Sequence, residues 1–204
     1  MSTSALRPWD RGAASDRAAE TGLWLFMAVV ATLFMLFLSA YAMRMDTADW
    51  TSIVMPGQLW LSTALLLAGG AAMQRAAVAA RTLHHARARR LLLVGGAAAV
   101  AFLAAQLWAW QNLLDQRVGL SGNPAASFFY LLTALHGLHV IGGLLAWGAV
   151  VQAAMSPATE PRRLALQITL CARYWHLLFV VWLVLFAALG WLTPEVVRFI
   201  CGRG

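Results

Sequence analysis

The chain has no lysine and few acidic residues, so arginine carries almost all of its charge. Fifteen arginines stand against eight acidic residues in 204 residues, and only 11% of residues are charged while 61% are hydrophobic. This composition lies outside the range of soluble globular domains. None of the acidic residues falls within a long apolar segment. Their absence there argues against a pump or transporter, because such proteins use intramembrane carboxylates as relays.

Cysteine is also scarce, with Cys171 and Cys201 standing at opposite ends of the last apolar segment. They would lie roughly 45 Å apart on a continuous helix, which excludes a disulfide between them. Neither belongs to a metal-thiolate spacing. We therefore interpret both as small helix-packing residues, and the sequence predicts no catalytic, metal-binding or cofactor-binding residue in this chain.

Long apolar segments make up most of the sequence. Each is long enough to cross a hydrocarbon layer of about 30 Å as a helix. The sequence predicts an all-α integral membrane bundle of five transmembrane helices, forming one domain over residues 20–193. Residues 1–19 are predicted to be a disordered polar tail, and residues 194–204 a short C-terminal tail. The five predicted spans cover residues 21–43, 55–73, 91–110, 127–151 and 168–192.

The arginines predict the orientation of the bundle. With the N-terminus in the cytoplasm, eleven arginines lie inside and four, Arg44, Arg117, Arg198 and Arg203, lie outside. Short cytoplasmic loops retain positive charge, so we predict a cytoplasmic N-terminus and a periplasmic C-terminus. The segment from Arg75 to Arg90, read as a basic loop, dominates this count. Contact with lipid headgroups is a second interpretation of that loop, whereas arginines placed between apolar segments do not indicate a nucleic-acid surface.

Three histidines in the apolar segments need an explanation, because polar side chains at that depth are costly unless they face protein. His136 and His139 share one face of the fourth segment, where Gly137, Gly142 and Gly143 allow another helix to approach closely. His139 and His176 fall at similar depths and could ligate a haem between two helices. The favoured interpretation is that the histidines form hydrogen bonds across helix contacts. Contact with lipid or with another subunit is a third possibility.

Two sequence motifs carry a family resemblance. The run SFFYLLTALHGLHVIGG, from Ser127 to Gly143, and the run YWHLLFVVWLVLF, from Tyr174 to Phe186, resemble the signatures of subunit III of the haem-copper terminal oxidases. Two further runs are similar to the family and occur in the same order along the chain. They are GLWLFMAVVATLFMLFLSAYAMR in the first segment and AAQLWAW in the third. The similarity covers about residues 20 to 192 and fits the five-helix bacterial form. That family also places its N-terminus inside and its C-terminus outside.

The resemblance implies an accessory role within a larger enzyme in the bacterial inner membrane. Haem and copper would belong to a partner, subunit I, which reduces dioxygen to water and pumps protons, while subunit II and other small subunits complete the complex. Bound phospholipid is also implied. The residues implied to make structural or lipid contacts are His136, His139, Tyr174, Trp175 and His176.

The sequence departs from the family at three positions. Val30, Ala109 and Phe179 stand where the family has membrane carboxylates, so a role of those carboxylates in proton uptake is not implied for this chain. Cytochrome c is the favoured electron donor of the complex. A subunit III of a ubiquinol oxidase and a nitric-oxide-reductase-associated homologue remain alternatives. Two further alternatives come from a different class. One is a free-standing b-haem membrane protein that uses His139 and His176, and the other is a small transporter.

Overall fold

The computed structural model describes residues 8–45, 47, 50–51, 53, 55–116 and 123–200. All regular structure in that part of the chain is α-helical, and five helices are long and apolar enough to cross a membrane. The prediction of an all-α five-helix membrane bundle is therefore confirmed. The helices are α1 (Pro8–Arg44), α2 (Gln58–Arg81), α3 (His85–Asp115), α4 (Pro124–Met155), α5 (Pro161–Trp191) and a short α6 (Pro194–Ile200).

The helices begin and end where local chemistry favours it. Pro124 and Pro161 occupy the first turns of α4 and α5, positions where a missing N–H costs nothing. Asn123 caps α4 by accepting a hydrogen bond from the backbone N–H of Ala125. The Asn123 side chain also donates to the carbonyl of Thr51, which ties the α1–α2 connection to the start of α4.

The connection between α2 and α3 is a tight turn of three residues. The N–H of His84 bonds the carbonyl of Ala79, and the N–H of Leu83 bonds the carbonyl of Ala80, which is the Schellman pattern of helix termination. Leu83 has a φ of 60°, a left-handed conformation that usually belongs to glycine. The turn returns the chain directly, so α2 and α3 form an antiparallel hairpin.

Several helix ends differ from the predicted boundaries. Residues 8–19, assigned to a disordered tail, are helical in α1, while residues 1–7 lie outside the described residues. The predicted basic loop from Arg75 to Arg90 is almost entirely helical, because α2 continues to Arg81 and α3 begins at His85. Residues 194–200 form α6 rather than a tail. Hydropathy detects the hydrocarbon-spanning part of a helix, whereas these helices continue into the polar interface.

Small residues let the helices approach one another. A Cβ on Gly69 would lie 3.3 Å from the Cβ of Ala98, and a Cβ on Gly95 would lie 2.7 Å from Cε of Met73. These contacts join α2 to α3, and α2 also contacts α5. Next, α4 contacts α3 and α5, while α1 lies against α4 and α5. The two helices that carry the predicted histidines, α4 and α5, are thus direct neighbours.

Candidate functional site

His136 lies in a closed aromatic cage at the centre of the bundle. Its side chain is 0% exposed, and its ring centroid lies 5.3 Å from Trp182 of α5, 5.6 Å from Phe102 of α3 and 6.1 Å from Phe34 of α1. Neither ring nitrogen has a hydrogen-bond partner among the described residues. The faces of the surrounding rings are weak acceptors for an N–H. The imidazole therefore acts here as a packing group that joins four helices.

His139 lies one turn further along the same face of α4 and is half-buried. Its ring lies 5.4 Å from Phe34, the residue that also contacts His136, so the two histidines do share a face as predicted. Its Nδ1 is 2.8 Å from the carbonyl oxygen of Leu135. Because a carbonyl only accepts, Nδ1 is the donor and the neutral ring carries its lone pair on Nε2.

His176 occupies the opposite kind of environment, since it is exposed on the outer surface of α5. Its Nδ1 bonds the carbonyl oxygen of Ala172, one turn earlier in the same helix. Among the described residues of this chain, none of the three imidazoles makes the predicted hydrogen bond across a helix contact. A helix offers each histidine a carbonyl four residues back, so a bond within the helix forms without a partner helix.

Tyr174 and Trp175 are buried in α5, at 7% and 2% exposure. The Tyr174 hydroxyl donates to the backbone carbonyl of His139 at 3.0 Å, which is the hydrogen bond that joins α4 to α5 at this level. Gly143 makes this contact possible, because a Cβ there would lie 2.9 Å from Cε1 of Tyr174. Among the described residues, Nε1 of Trp175 has no hydrogen-bond partner.

The three positions that lack the family carboxylates are apolar in their surroundings as well. Val30 and Ala109 are 2% and 0% exposed, and Phe179 is half-buried and packs against the hydrophobic core. A carboxylate at Val30 or Ala109 would need a partner to offset its desolvation. Apolar side chains at these sites fit their burial without one.

A cavity of about 420 Å³, which sequence reasoning missed, lies between α1, α4 and α5. Gln167 contributes a buried Oε1 with no hydrogen-bond partner among the described residues. Nearby, Arg173 of α5 forms an ion pair with Glu20 of α1, at 3.3 Å between Nη1 and Oε1. The small residues of α4 predicted a close helix contact, but Gly142 and Ala146 border the cavity instead. The cavity is lined by Leu23, Phe26, Gly142, Ala146, Val150, Gln167, Leu170, Cys171 and Tyr174.

No group of three or more histidine, cysteine, aspartate or glutamate side chains gathers at one point in the part of the chain that the structure describes. The proposed haem ligands are also in different settings. His139 packs against Phe34 between α1 and α4, whereas His176 faces away from the bundle. This arrangement does not present their Nε2 atoms to a common cavity within the chain.

Comparisons with known proteins agree with the resemblance drawn from the motifs. Residues 13–193 match the family model described as Cytochrome c oxidase subunit III. The chain is similar to Cytochrome c oxidase subunit 3 of Synechocystis, 39% identical over 43% of this chain and 36% of that protein. It is also similar to Probable cytochrome c oxidase subunit 3 of Mycobacterium bovis, 34% identical over 43% of each chain. The match thus spans less than half the length of these relatives.

Proposed function

Because the chain belongs to the cytochrome c oxidase subunit III family, we propose that it is an accessory subunit of a bacterial haem-copper terminal oxidase. In this role it binds no redox centre itself and lies beside the catalytic subunit, which holds haem and copper and reduces dioxygen to water with proton pumping. Subunit II and other small subunits complete the assembly. The chain supports the durability of the catalytic subunit and has no activity when isolated.

The observation that carries the proposal is the family match over residues 13–193, which includes all five spanning helices. The geometry of the histidines supports an accessory role. A free-standing b-haem protein would need His139 and His176 to face one cavity, but one packs against Phe34 and the other faces outward. A transporter would need polar relay groups along a path, whereas the buried His136 is enclosed by aromatic rings.

The charge distribution supports the proposed orientation, and membership of the family supports the proposed location. We place the protein in the bacterial inner membrane with its N-terminus in the cytoplasm. The turn between α2 and α3 supports this orientation because Arg75, Arg81, Arg87, Arg89 and Arg90 all lie near it. Positive charge of this density is retained on the cytoplasmic side. The C-terminus then lies in the periplasm.

Bound phospholipid is the second component of the proposal. The cavity between α1, α4 and α5 is lined almost entirely by apolar side chains, which suits an acyl chain. Arg163 is exposed four residues before Gln167, about 6 Å along the helix axis, where its guanidinium can pair with a lipid phosphate. Tyr174, at the other end of the cavity lining, would contact the same acyl chain.

Purification through an affinity tag on this chain tests the proposal. In mild detergent we expect the tag to recover a large polytopic subunit containing haem and copper, in stoichiometric amount. The same preparation should oxidise reduced cytochrome c, since the curated relatives are named for that donor, and should act poorly on ubiquinol. Preference for ubiquinol would favour the quinol oxidase alternative. An assay of nitric-oxide reduction tests the remaining alternative, the nitric-oxide-reductase-associated homologue.

The isolated chain provides the control. After dissociation from its partners it should show no Soret absorbance and no bound copper. A haem signal at one equivalent per chain would contradict the accessory role and favour the b-haem alternative. Recovery of the chain without any other polytopic protein would also count against the proposal.

A further inference from the structure

The position of His176 is unusual for a polar side chain in a membrane protein. It is the middle residue of α5, fifteen residues from Pro161 and fifteen from Trp191, hence about 22 Å from either end of the helix. It is exposed on the surface of the isolated chain. Eight residues into the predicted span 168–192, it lies about 12 Å inside the hydrocarbon layer. Ionisable residues at such depth almost always face protein or a water-filled cavity, so an outward-facing histidine there needs a partner from outside the chain.

The hydrogen-bond state of the ring defines that partner. Nδ1 donates to the carbonyl oxygen of Ala172, which leaves the lone pair of Nε2 as an acceptor. Nε2 has no donor among the described residues. The other ionisable groups of the central spans differ from His176 in that they lie against side chains of this chain. Arg173 pairs with Glu20, His136 is enclosed by aromatic rings and His139 is half-buried.

The residues around His176 form a surface suited to another helix. Val180, Leu183, Val184 and Ala187 follow at helical spacing and are all exposed, and we call these residues together with His176 the His176 face. Their side chains are short or branched and include no other polar group. Such surfaces allow close helix contact in membranes, where packing and interhelical hydrogen bonds drive association.

We propose that the His176 face is the docking surface for a transmembrane helix of a neighbouring oxidase subunit, one that places a hydrogen-bond donor against Nε2 of His176. The inference rests on the proposed function and adds the contact face and the chemistry of the partner. Phospholipid does not meet the requirement, because acyl chains carry no donor and headgroups lie at the interfaces. A second copy of this chain docked symmetrically through the same face would place one Nε2 acceptor opposite another.

Photocrosslinking within the assembled complex tests the proposal. A photoreactive amino acid at Val180 should crosslink this chain to another polytopic oxidase subunit. The same group at Leu145, which is 74% exposed on α4, serves as the matched control and should crosslink mainly to lipid. A product at Val180 containing only lipid, or a dimer of this chain, would overturn the proposal.

Substitutions give an independent measurement. His176→Leu should reduce the haem recovered per tagged chain by about five- to tenfold, the effect of losing one interhelical hydrogen bond with its donor left unpaired. His176→Gln retains an acceptor and should preserve most of the recovery. Val180→Trp should also lower it by obstructing the face, whereas Leu145→Trp should not. Normal recovery with Val180→Trp would contradict the docking face.

These outcomes separate the two levels of inference. If the unmodified chain recovers no haem-containing subunit, the proposed function itself fails. If it recovers one but Val180 crosslinks only to lipid, the accessory role stands and the docking face is wrong.

Discussion

Hydroxyl-bearing side chains in this bundle mostly meet their hydrogen-bonding requirements within their own helices. Thr32, Ser39, Thr63, Thr133 and Thr169 each donate to the carbonyl four residues earlier. Three of these oxygens also accept across a helix contact, from Trp182, Trp110 and Arg81. A hydroxyl can donate and accept at once, so it joins two helices without leaving an unsatisfied group in hydrocarbon.

The sequence identified which histidines lie in the apolar segments but not what surrounds each ring. His136, His139 and His176 look alike in a sequence, since each sits in an apolar segment. Whether a ring faces a cage, a neighbouring phenylalanine or the outside depends on helix rotation, which is set by packing against other helices. In a helix that is apolar on every side, the spacing of residues says little about rotation around the helix axis, so periodicity alone could not distinguish the three.

At the residue scale, Leu83→Gly should stabilise the protein. A left-handed conformation costs a non-glycine residue about 1–2 kcal/mol. Glycine also makes the unfolded chain more flexible, which lowers the free energy of unfolding by about 0.4–1 kcal/mol. The net gain should be about 0.5–1 kcal/mol, with little packing lost because Leu83 is 66% exposed. The thermal midpoint in detergent measures it. Leu83→Val should shift that midpoint downward, and equal shifts for both variants would contradict the argument.

At the scale of helices, close contacts depend on a few glycines with very different neighbours. Gly96 of α3 faces the indole of Trp147, whose Nε1 donates to the carbonyl of Leu92 at 2.8 Å. At Gly148, which follows Trp147, an added Cβ would meet no other atom of the described residues within 4 Å. The sequence shows both as glycines in apolar helices. Only the contact between α3 and α4 shows that glycine is required at position 96 and not at position 148.

Gly96→Ala should therefore destabilise the α3–α4 contact. Its Cβ would overlap the ring of Trp147, and the hydrogen bond to Leu92 prevents that ring from moving away easily. We expect a cost of about 2 kcal/mol or more, in the range of overpacked cores. Gly95→Ala should cost less because it meets the flexible end of Met73. Gly148→Ala is the control, and it should stabilise the protein by about 0.5–1 kcal/mol because alanine favours the helix and meets no obstruction there. All three variants are compared by unfolding in detergent.

At the scale of the whole molecule, the number and order of the spanning helices were predictable because each is a long apolar run. Their true lengths were not, since α1 and α3 extend well into polar sequence at their ends. The cavity between α1, α4 and α5 was also beyond prediction. It depends on how closely α1 lies against α4 and α5, and relative helix placement has no counterpart in single-helix patterns.

Orientation is a property of the whole molecule that cysteine labelling can measure. In a Cys201→Ser background, Asp115→Cys should react with a membrane-impermeant maleimide in intact spheroplasts. Leu83→Cys should react only after lysis, because the α2–α3 turn is assigned to the cytoplasm. Cys171 is buried and should contribute little background. The reverse pattern would place the N-terminus in the periplasm.

The peripheral placement of α1 has a consequence for biosynthesis. Its most apolar stretch exceeds those of the other four spans in hydropathy, yet only 17% of it is buried within the chain, against 50% for the least apolar, α2. A ribosome makes α1 before the helices it contacts, so it resides in lipid alone until they are inserted. Its composition permits that interval. In contrast, α2 is followed after a three-residue turn by α3, so the two are suited to enter the bilayer together as a hairpin.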